Sequence, residues 1–134
     1  MRTPEQILRD SVTIAVVGAS RHQEKSAYSV PLQMKLKGWR VIPVNPYSEL
    51  IFGEKCYPRL EDIPFPVDLV NVFRPSEDTP PVARSAVAIG ARALWLQQGI
   101  ASAESRAIAE AAGLDYVEDH CIAVERAIRG LTRT

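Results

Sequence analysis

The sequence has no net charge, because sixteen basic residues balance sixteen acidic ones over its 134 positions. This balance argues against a broad nucleic-acid footprint, although it is compatible with a local basic pocket. The sequence also has no apolar run near the ~18 residues of a membrane span. Its N-terminal segment, MRTPEQILRD, lacks the apolar core of a signal peptide. We therefore expect a cytoplasmic protein that binds neither nucleic acid nor membranes.

Cysteine and histidine are scarce, with two residues of each. Cys56 and Cys121 lie far apart in the sequence and are expected to be reduced thiols. No CxxC pair and no clustered set of histidine and cysteine ligands occurs, so no metal site is predicted. The chain also has no repeat, low-complexity segment or linker, and at this length residues 1–134 are expected to form a single domain.

The segment at residues 13–37 joins an apolar run to a helical pattern. Residues 14–17 predict a strand buried on both faces, which Gly18-Ala19-Ser20 ends. In the helix that follows, Pro31 is expected in the first turn and Gly38 just beyond the end. Strand, small-residue turn and helix together open a nucleotide-binding unit, whose turn directs N–H groups at an anion. A tight connection without a ligand is the alternative.

The remaining sequence alternates between short apolar runs and helical patterns. Further strands are predicted at residues 39–44, 68–72, 93–96 and 114–117, and helices at 3–11, 76–89, 102–112 and 121–129, with an irregular connection at 47–58. Pro43, near the end of the second strand, should stop regular pairing or lie at a sheet edge. This alternation predicts a Rossmann-like, three-layer α/β fold. Its parallel sheet should have five strands in the order 3-2-1-4-5, with helices on both faces.

A sheet of this kind binds ligands beyond the carboxyl ends of its strands, at the switch point beside the first strand. The residues that follow the strands are therefore the functional candidates. The first loop adds hydroxyl groups and cations that suit a pyrophosphate, and a guanidinium such as that of Arg74 can pair with phosphate through two parallel N–H bonds. The candidate cofactor-binding residues are Gly18, Ala19, Ser20, Arg21, Lys25, Ser26, Val44, Asn45, Pro46, Phe73, Arg74, Pro75, Gln97, Gln98 and Gly99.

Several of these candidates have a structural alternative. Arg74 can form a surface ion pair with Glu77 or Asp78. Asn45 can be turn chemistry before a proline, and the glutamines after the fourth strand can cap the next helix. Each alternative would remove the residue from the ligand site.

Two common nucleotide-binding motifs are absent. A dinucleotide fingerprint needs GxGxxG and an acid that closes the second strand. Here only Gly18 is present, and Val44-Asn45-Pro46 stands in place of the acid. No GxxxxGK[ST] loop occurs, and no pair of acids follows the first strand, which argues against a P-loop protein and a phosphorelay receiver. The loops thus argue against a nicotinamide cofactor, and an NAD-type dinucleotide binder is kept only as an alternative.

The sequence resembles the small stand-alone CoA-binding proteins of bacteria and archaea. Their fold is similar to the N-terminal CoA-binding domain of the succinyl-CoA synthetase alpha subunit. The resemblance covers nearly the whole chain. It rests on IAVVGAS at 14–20, GWRVIPVNP at 38–46, GEKCY at 53–57, VDLVNVFRPSE at 67–77, AIGARALWLQQGI at 88–100 and DHCIAVE at 119–125.

The resemblance implies a domain that holds the 3′-phospho-ADP part of CoA. It places Gly18, Ala19 and Ser20 at the pyrophosphate. It also puts Asn45-Pro46 and residues 73–75 on the nucleotide side, and residues 97–99 at the rim. The first loop here has fewer glycines than the synthetase loop, and His120 is not equated with the phosphorylated histidine that the synthetase carries in a second domain.

Two functional hypotheses follow from the resemblance. The first is a CoA-binding module without catalysis of its own, which holds CoA or acyl-CoA and works with a protein partner or as a homo-oligomer. The second is an enzyme or enzyme subunit that acts on acyl-CoA. The rim has no Ser–His–Asp set, metal cluster or acid–base pair, and Cys121 is the one candidate nucleophile. No catalytic residue is therefore predicted.

Overall fold

The computed structural model describes residues 1–134 and has a parallel sheet of five strands between two layers of helices. The predicted fold class is confirmed. In chain order the elements are α1 (Pro4–Asp10), β1 (Thr13–Val17), α2 (Ser26–Leu36), β2 (Arg40–Val44), β3 (Leu50–Ile51), β4 (Glu54–Lys55), β5 (Leu69–Val72), α3 (Thr79–Ala88), β6 (Ala93–Leu96), α4 (Ala103–Ala111), β7 (Asp115–Val117) and α5 (Ile122–Ile128). Short 3-10 turns lie at Leu60–Asp62 and Ser76–Asp78. No helix is long and apolar enough to cross a bilayer.

Two hydrophobic clusters hold the layers together, one on each face of the sheet. Alternate residues of β1 supply both clusters, as the period of a strand requires: Ile14 and Val16 face one side, and Ala15 faces the other. The first cluster receives side chains from α1, α2 and α5, and the second from α3 and α4. Ile7 and Leu8 of α1 are fully buried, as the sequence predicts.

The order of the strands differs from the prediction. The sheet runs β2-β1-β5-β6-β7, so the five strands numbered along the chain follow the order 2-1-3-4-5 rather than 3-2-1-4-5. The third of these strands, β5, pairs directly with β1, with Ile14 opposite Leu69 and Val17 opposite Val72. The switch point therefore lies between β1 and β5, because the chain leaves β1 toward α2 on one face and leaves β5 toward α3 on the other.

Pro43 explains why β2 lies at the edge of the sheet. On the side away from β1, the N–H of Tyr57 donates to the Pro43 carbonyl (3.1 Å) and the N–H of Asn45 donates to the Tyr57 carbonyl (3.0 Å). Proline has no N–H to offer a full neighbouring strand on that side. The prediction that Pro43 lies at a sheet edge is confirmed. The predicted order 3-2-1-4-5 would have needed another strand beside β2 on the side of Pro43, where the proline has no N–H to donate.

The prediction that Pro31 lies in the first turn of its helix is wrong, because α2 already begins at Ser26 and Pro31 lies in its interior. Its missing N–H leaves the carbonyl of Ala27, four residues earlier, without its helical partner. That carbonyl instead accepts a hydrogen bond from the N–H of Ser20 (3.1 Å). The proline thus ties the helix to the loop that follows β1.

The segment predicted to be an irregular connection contains a short hairpin. Strands β3 and β4 pair antiparallel around Phe52 and Gly53, whose φ angles are 57° and 73°. Two successive positive φ angles are typical of the tight turns that join such strands. The hairpin packs Ile51, Phe52 and Cys56 against the cluster beside α2.

Candidate functional site

A cleft of about 600 Å³ lies beyond the carboxyl ends of β1 and β2, beside the switch point of the sheet. The loops after β1 and β2 form most of its wall, and the first residues after β5 complete it. The lining residues are Val17, Gly18, Ala19, Ser20, Arg21, His22, Lys25, Val44, Asn45, Pro46, Tyr47, Ser48, Pro58 and Arg74.

Three of the predicted loops meet in this cleft, and a fourth does not. Of the candidate residues, the wall includes Gly18, Ala19, Ser20, Arg21, Lys25, Val44, Asn45, Pro46 and Arg74. Outside the wall are Ser26, Phe73, Pro75, Gln97, Gln98 and Gly99. The strand order explains why residues 97–99 do not reach the cleft. They follow β6, and β5 rather than β6 is the neighbour of β1, so their loop is one strand farther away.

Gln97 has a structural role in this arrangement. Its side chain is buried, and its Oε1 accepts hydrogen bonds from the Asn71 side chain and from the N–H of Ile122, both at 3.3 Å. It therefore joins β5 to the first residue of α5. The sequence suggested that this glutamine could cap the next helix, α4, but the helix it caps is α5. Beside it Gln98 is exposed, and the Gly99 N–H donates to the Asp119 carboxylate (2.7 Å).

The first loop is held in shape by hydrogen bonds from three directions. The Gly18 N–H donates to the Val44 carbonyl (3.2 Å), the Ser20 N–H donates to the Ala27 carbonyl, and the Asn45 side chain donates to the Ala19 carbonyl (2.8 Å). The N–H groups of Ala19 and Arg21 have no partner in the protein. The loop thus presents free donors on a backbone that is already fixed.

Asn45 also shapes the second loop. Its Oδ1 accepts a hydrogen bond from the N–H of Tyr47 (2.7 Å), which is an Asx turn. The turn role that the sequence suggested for Asn45 is therefore present. The same side chain also holds the first loop through its hydrogen bond to the Ala19 carbonyl. Both ends of the amide are therefore occupied within the protein.

Gly18 is required by the close approach of the loop after β5. Its φ is +85°, and a Cβ at this position would lie 2.6 Å from the Phe73 carbonyl oxygen and 3.2 Å from the Cδ of Arg74. Only glycine avoids both the backbone strain and the clash. The absence of a side chain here lets Arg74 reach the cleft.

The cleft wall is cationic and contains no acid. The cations Arg21, Lys25 and Arg74 line it, together with the imidazole ring of His22. Arg74 donates to Asp78 (3.2 Å) in an exposed ion pair, whereas Arg21 and Lys25 form no ion pair. In a chain without net charge, this concentration creates a local positive field that favours an anionic ligand.

Five lining residues were not among the candidates: Val17, His22, Tyr47, Ser48 and Pro58. Tyr47 and Ser48 could have been predicted from the Asn45-Pro46 turn signal, because residues that follow a turn at the cleft also lie close to the cleft. Tyr47 is 90% exposed and stands at the mouth of the cleft. Pro58 had no sequence signal, because its place depends on the hairpin that precedes it.

His120 and Cys121 lie away from this cleft. The Nδ1 of His120 is 2.7 Å from the Glu118 carbonyl, and its own carbonyl accepts from the Trp95 indole N–H (2.8 Å). Cys121 is the residue before α5 and is half-buried. Neither residue lines the cleft, so the candidate nucleophile lies apart from it.

The chain is similar to known proteins in both sequence and fold. A family model described as a CoA binding domain matches residues 12–127. The uncharacterized protein YneT of Bacillus subtilis is 36% identical over 124 residues, which are 92% of this chain and 92% of that protein. The ADP-forming acetate–CoA ligase II of Archaeoglobus fulgidus is 36% identical over 72 residues, which are 52% of this chain and 11% of the ligase. A solved structure of a hypothetical protein from Pyrococcus horikoshii OT3 superposes with a TM-score of 0.90 at 34% identity, covering 95% of this chain and 92% of that one.

Proposed function

This chain belongs to the family of CoA binding domains, and we propose that it binds CoA or acyl-CoA in the cationic cleft through the phosphate groups at the ADP end. The observation that carries the proposal is the cleft wall, where Arg21, Lys25 and Arg74 meet and no acidic residue is part of the lining, the Asp78 partner of Arg74 lying outside it. CoA carries a pyrophosphate and a 3′-phosphate, and such charges are attracted to a local cluster of cations.

The first loop supports a position for the pyrophosphate. The free N–H groups of Ala19 and Arg21 are donors on a fixed backbone, and the N-terminus of α2, at Ser26, adds the positive end of a helix of 11 residues. Arg74 enters from the other side of the switch point and can pair with a phosphate in bidentate fashion. The loop with Gln98 and Gly99 lies farther along the same edge of the sheet, where the pantetheine arm can pass it.

We propose that the chain performs no reaction by itself. The cleft contains the hydroxyls of Ser20 and Ser48 and the imidazole of His22, but no acid that could orient the imidazole as a general base. The chain spans only 11% of the Archaeoglobus ligase, so the rest of that protein is available for chemistry. A cytoplasmic role as a carrier, sensor or CoA-holding subunit for a partner enzyme follows from this reading.

Calorimetric titration with CoA, dephospho-CoA and NAD tests the proposal. We expect CoA to bind at one site, dephospho-CoA to bind more weakly because it lacks the 3′-phosphate, and NAD to bind weakest. Raised salt should weaken CoA binding, since the contacts are between exposed charges. Absence of CoA binding at low salt would refute the binding proposal. Release of free CoA from acyl-CoA by the purified chain, above the rate in buffer, would refute the non-catalytic part.

A further inference from the structure

Two neighbouring helices, α2 and α5, leave part of their surface uncovered. Both begin at the carboxyl ends of the strands, α2 beside the cleft and α5 where the Ile122 N–H is bound by Gln97. Their far ends are joined by a hydrogen bond from the N–H of Arg133 to the Lys37 carbonyl (2.8 Å). The two helices therefore run in the same direction and contact each other on one face of the sheet.

Each of these helices turns aliphatic side chains toward solvent. On α2, Leu36 is 68% exposed and Leu32 is half-buried, and on α5, Val124 and Ile128 are 51% and 70% exposed. The two residues of each helix are four positions apart, so they lie on one face. We call these four side chains the helical stripe. None of them lines the cleft.

The sequence of α2 favours burial of its outer face as well as its inner one. Val30, Pro31 and Met34 of this helix are buried in the core, and the opposite face carries Leu32 and Leu36. A helix that is apolar all round is typical of an element covered on every side. Within the chain only the inner face of α2 is covered, so we expect another molecule to cover the outer one.

The charge around the helical stripe is almost entirely positive. Residues 25–38 and 121–134 contain six basic residues and one acid, in a chain without net charge. That acid, Glu125, is buried and pairs with Arg129 (3.3 Å). At the far end of the two helices, Lys37 and Arg133 are exposed and form no ion pair. Free cations therefore border the stripe, and these segments offer no free carboxylate.

We propose that the helical stripe is a docking surface for an acidic amphipathic helix of another protein. Apolar side chains at helical spacing on that partner would pack on the stripe, which is the common way in which an amphipathic helix is recognised. Carboxylates beside its apolar face would meet Lys37 and Arg133, and complementary charge of this kind selects the partner and speeds its association.

The charge distribution argues against a second copy of this chain as the occupant. A symmetric dimer uses the same patch on both subunits, so it would place these positive segments against each other. A membrane surface is also anionic, but helices that lie in a bilayer commonly add aromatic side chains to their apolar face, and all four side chains of the helical stripe are aliphatic.

A pair of synthetic peptides tests the chemistry of the partner. Both are helices of about 18 residues with leucine at every third or fourth position, and their polar positions are glutamate in one and lysine in the other. We expect the glutamate peptide to bind the full chain at least tenfold more tightly in fluorescence anisotropy, and raised salt to weaken it. Equal binding of the two peptides, or no binding of the glutamate peptide at low salt, would overturn the proposal.

Substitutions in the helical stripe test its position. Leu36→Glu and Ile128→Glu each place a carboxylate on the stripe, and each should weaken the glutamate peptide about tenfold or more. Their melting temperatures should stay unchanged, because both side chains are largely exposed. Leu50→Glu is the matched control, since Leu50 is 66% exposed but lies on β3, outside both helices. Normal affinity in both stripe variants, or an equal loss in Leu50→Glu, would show that the peptide binds elsewhere.

The other occupants would give different results. A dimer of the unmodified chain in sedimentation equilibrium that Leu36→Glu dissociates would assign the helical stripe to a second copy. Binding to vesicles of phosphatidylcholine and phosphatidylserine that the same variant abolishes would assign it to a membrane. Either result contradicts the proposal. CoA affinity should be unchanged in Leu36→Glu and Ile128→Glu, so the docking surface and the proposed function can fail independently.

Discussion

Replacing Arg74 by alanine separates a phosphate contact from a surface ion pair. Nη2 of Arg74 lies 3.2 Å from the carboxylate of Asp78, four residues later in the chain, and the two side chains are 49% and 47% exposed. An ion pair of this kind contributes at most ~1 kcal/mol to stability. The melting temperature of Arg74→Ala should therefore fall by less than about 4 °C.

The effect on affinity should be much larger. A charge-assisted hydrogen bond to phosphate contributes roughly 1.5–3 kcal/mol, and about 1.4 kcal/mol corresponds to a tenfold change in affinity. Arg74→Ala should thus weaken CoA binding by about tenfold or more. Asp78→Asn should tighten it, by at most about fivefold, because the carboxylate competes with the ligand for the same guanidinium.

The two substitutions form a double-mutant cycle that calorimetry can measure. If Arg74 leaves Asp78 to bind phosphate, Asp78→Asn should have no effect once Arg74 is alanine. The control is Arg84→Ala, which removes the same charge from an exposed pair with Glu104 outside the cleft. Unchanged CoA affinity in Arg74→Ala, or an equal loss in Arg84→Ala, would show that Arg74 makes no phosphate contact.

Three further predictions test the supports of the site and of the sheet. Gly18→Ala should destabilise the chain by roughly 1–3 kcal/mol in denaturant unfolding, because its Cβ would meet the Phe73 carbonyl at a positive φ; unchanged stability would contradict that geometry. Asn45→Asp keeps the acceptor of the Asx turn but loses the donor to the first loop, so stability should fall by about 1 kcal/mol and CoA affinity with it. Burial raises the pKa of Asp115, but hydrogen bonds from the backbone and side chain of Arg2 outweigh it and lower that pKa. The stabilisation is present above about pH 4 and is lost as the pH falls through the lowered value, so Asp115→Asn should be less stable than the parent at pH 7, and the difference should shrink as the pH falls below about 4.

The five strands of the main sheet could be predicted from local sequence pattern, but the order in which they pair could not, and the β3–β4 hairpin was missed. Apolar runs of strand length and the helical spacing between them identify every strand of the main sheet, and the burial of Ile7 and Leu8 follows from the same periodicity. The order of the strands depends on which edges can accept a partner. Pro43 carried that information, because a strand lacking an outward N–H cannot have a full neighbour on that side.

The same limit applies to the candidate site. Residues that follow a strand can be named from the sequence, but which of their loops meet depends on strand order. Arg74 comes next to Gly18 because β5 pairs with β1, and Gln97 is buried because Asn71 and the start of α5 converge on it. Such convergence between distant segments leaves no mark in the local pattern of either one.

The hydrogen bond between Ser20 and Ala27 has a consequence for the speed of binding. A helix without a proline at position 31 would have used the Ala27 carbonyl itself, and the first loop would have kept only its hydrogen bonds to Val44 and Asn45. Because Pro31 has no N–H, the Ala27 carbonyl remains free to accept the Ser20 hydrogen bond. The first loop is therefore preorganised and does not have to change its conformation when a ligand binds. Association should then proceed in a single diffusion-limited phase. Pro31→Ala, which returns the carbonyl to the helix, should add a slow unimolecular step that stopped-flow mixing can detect.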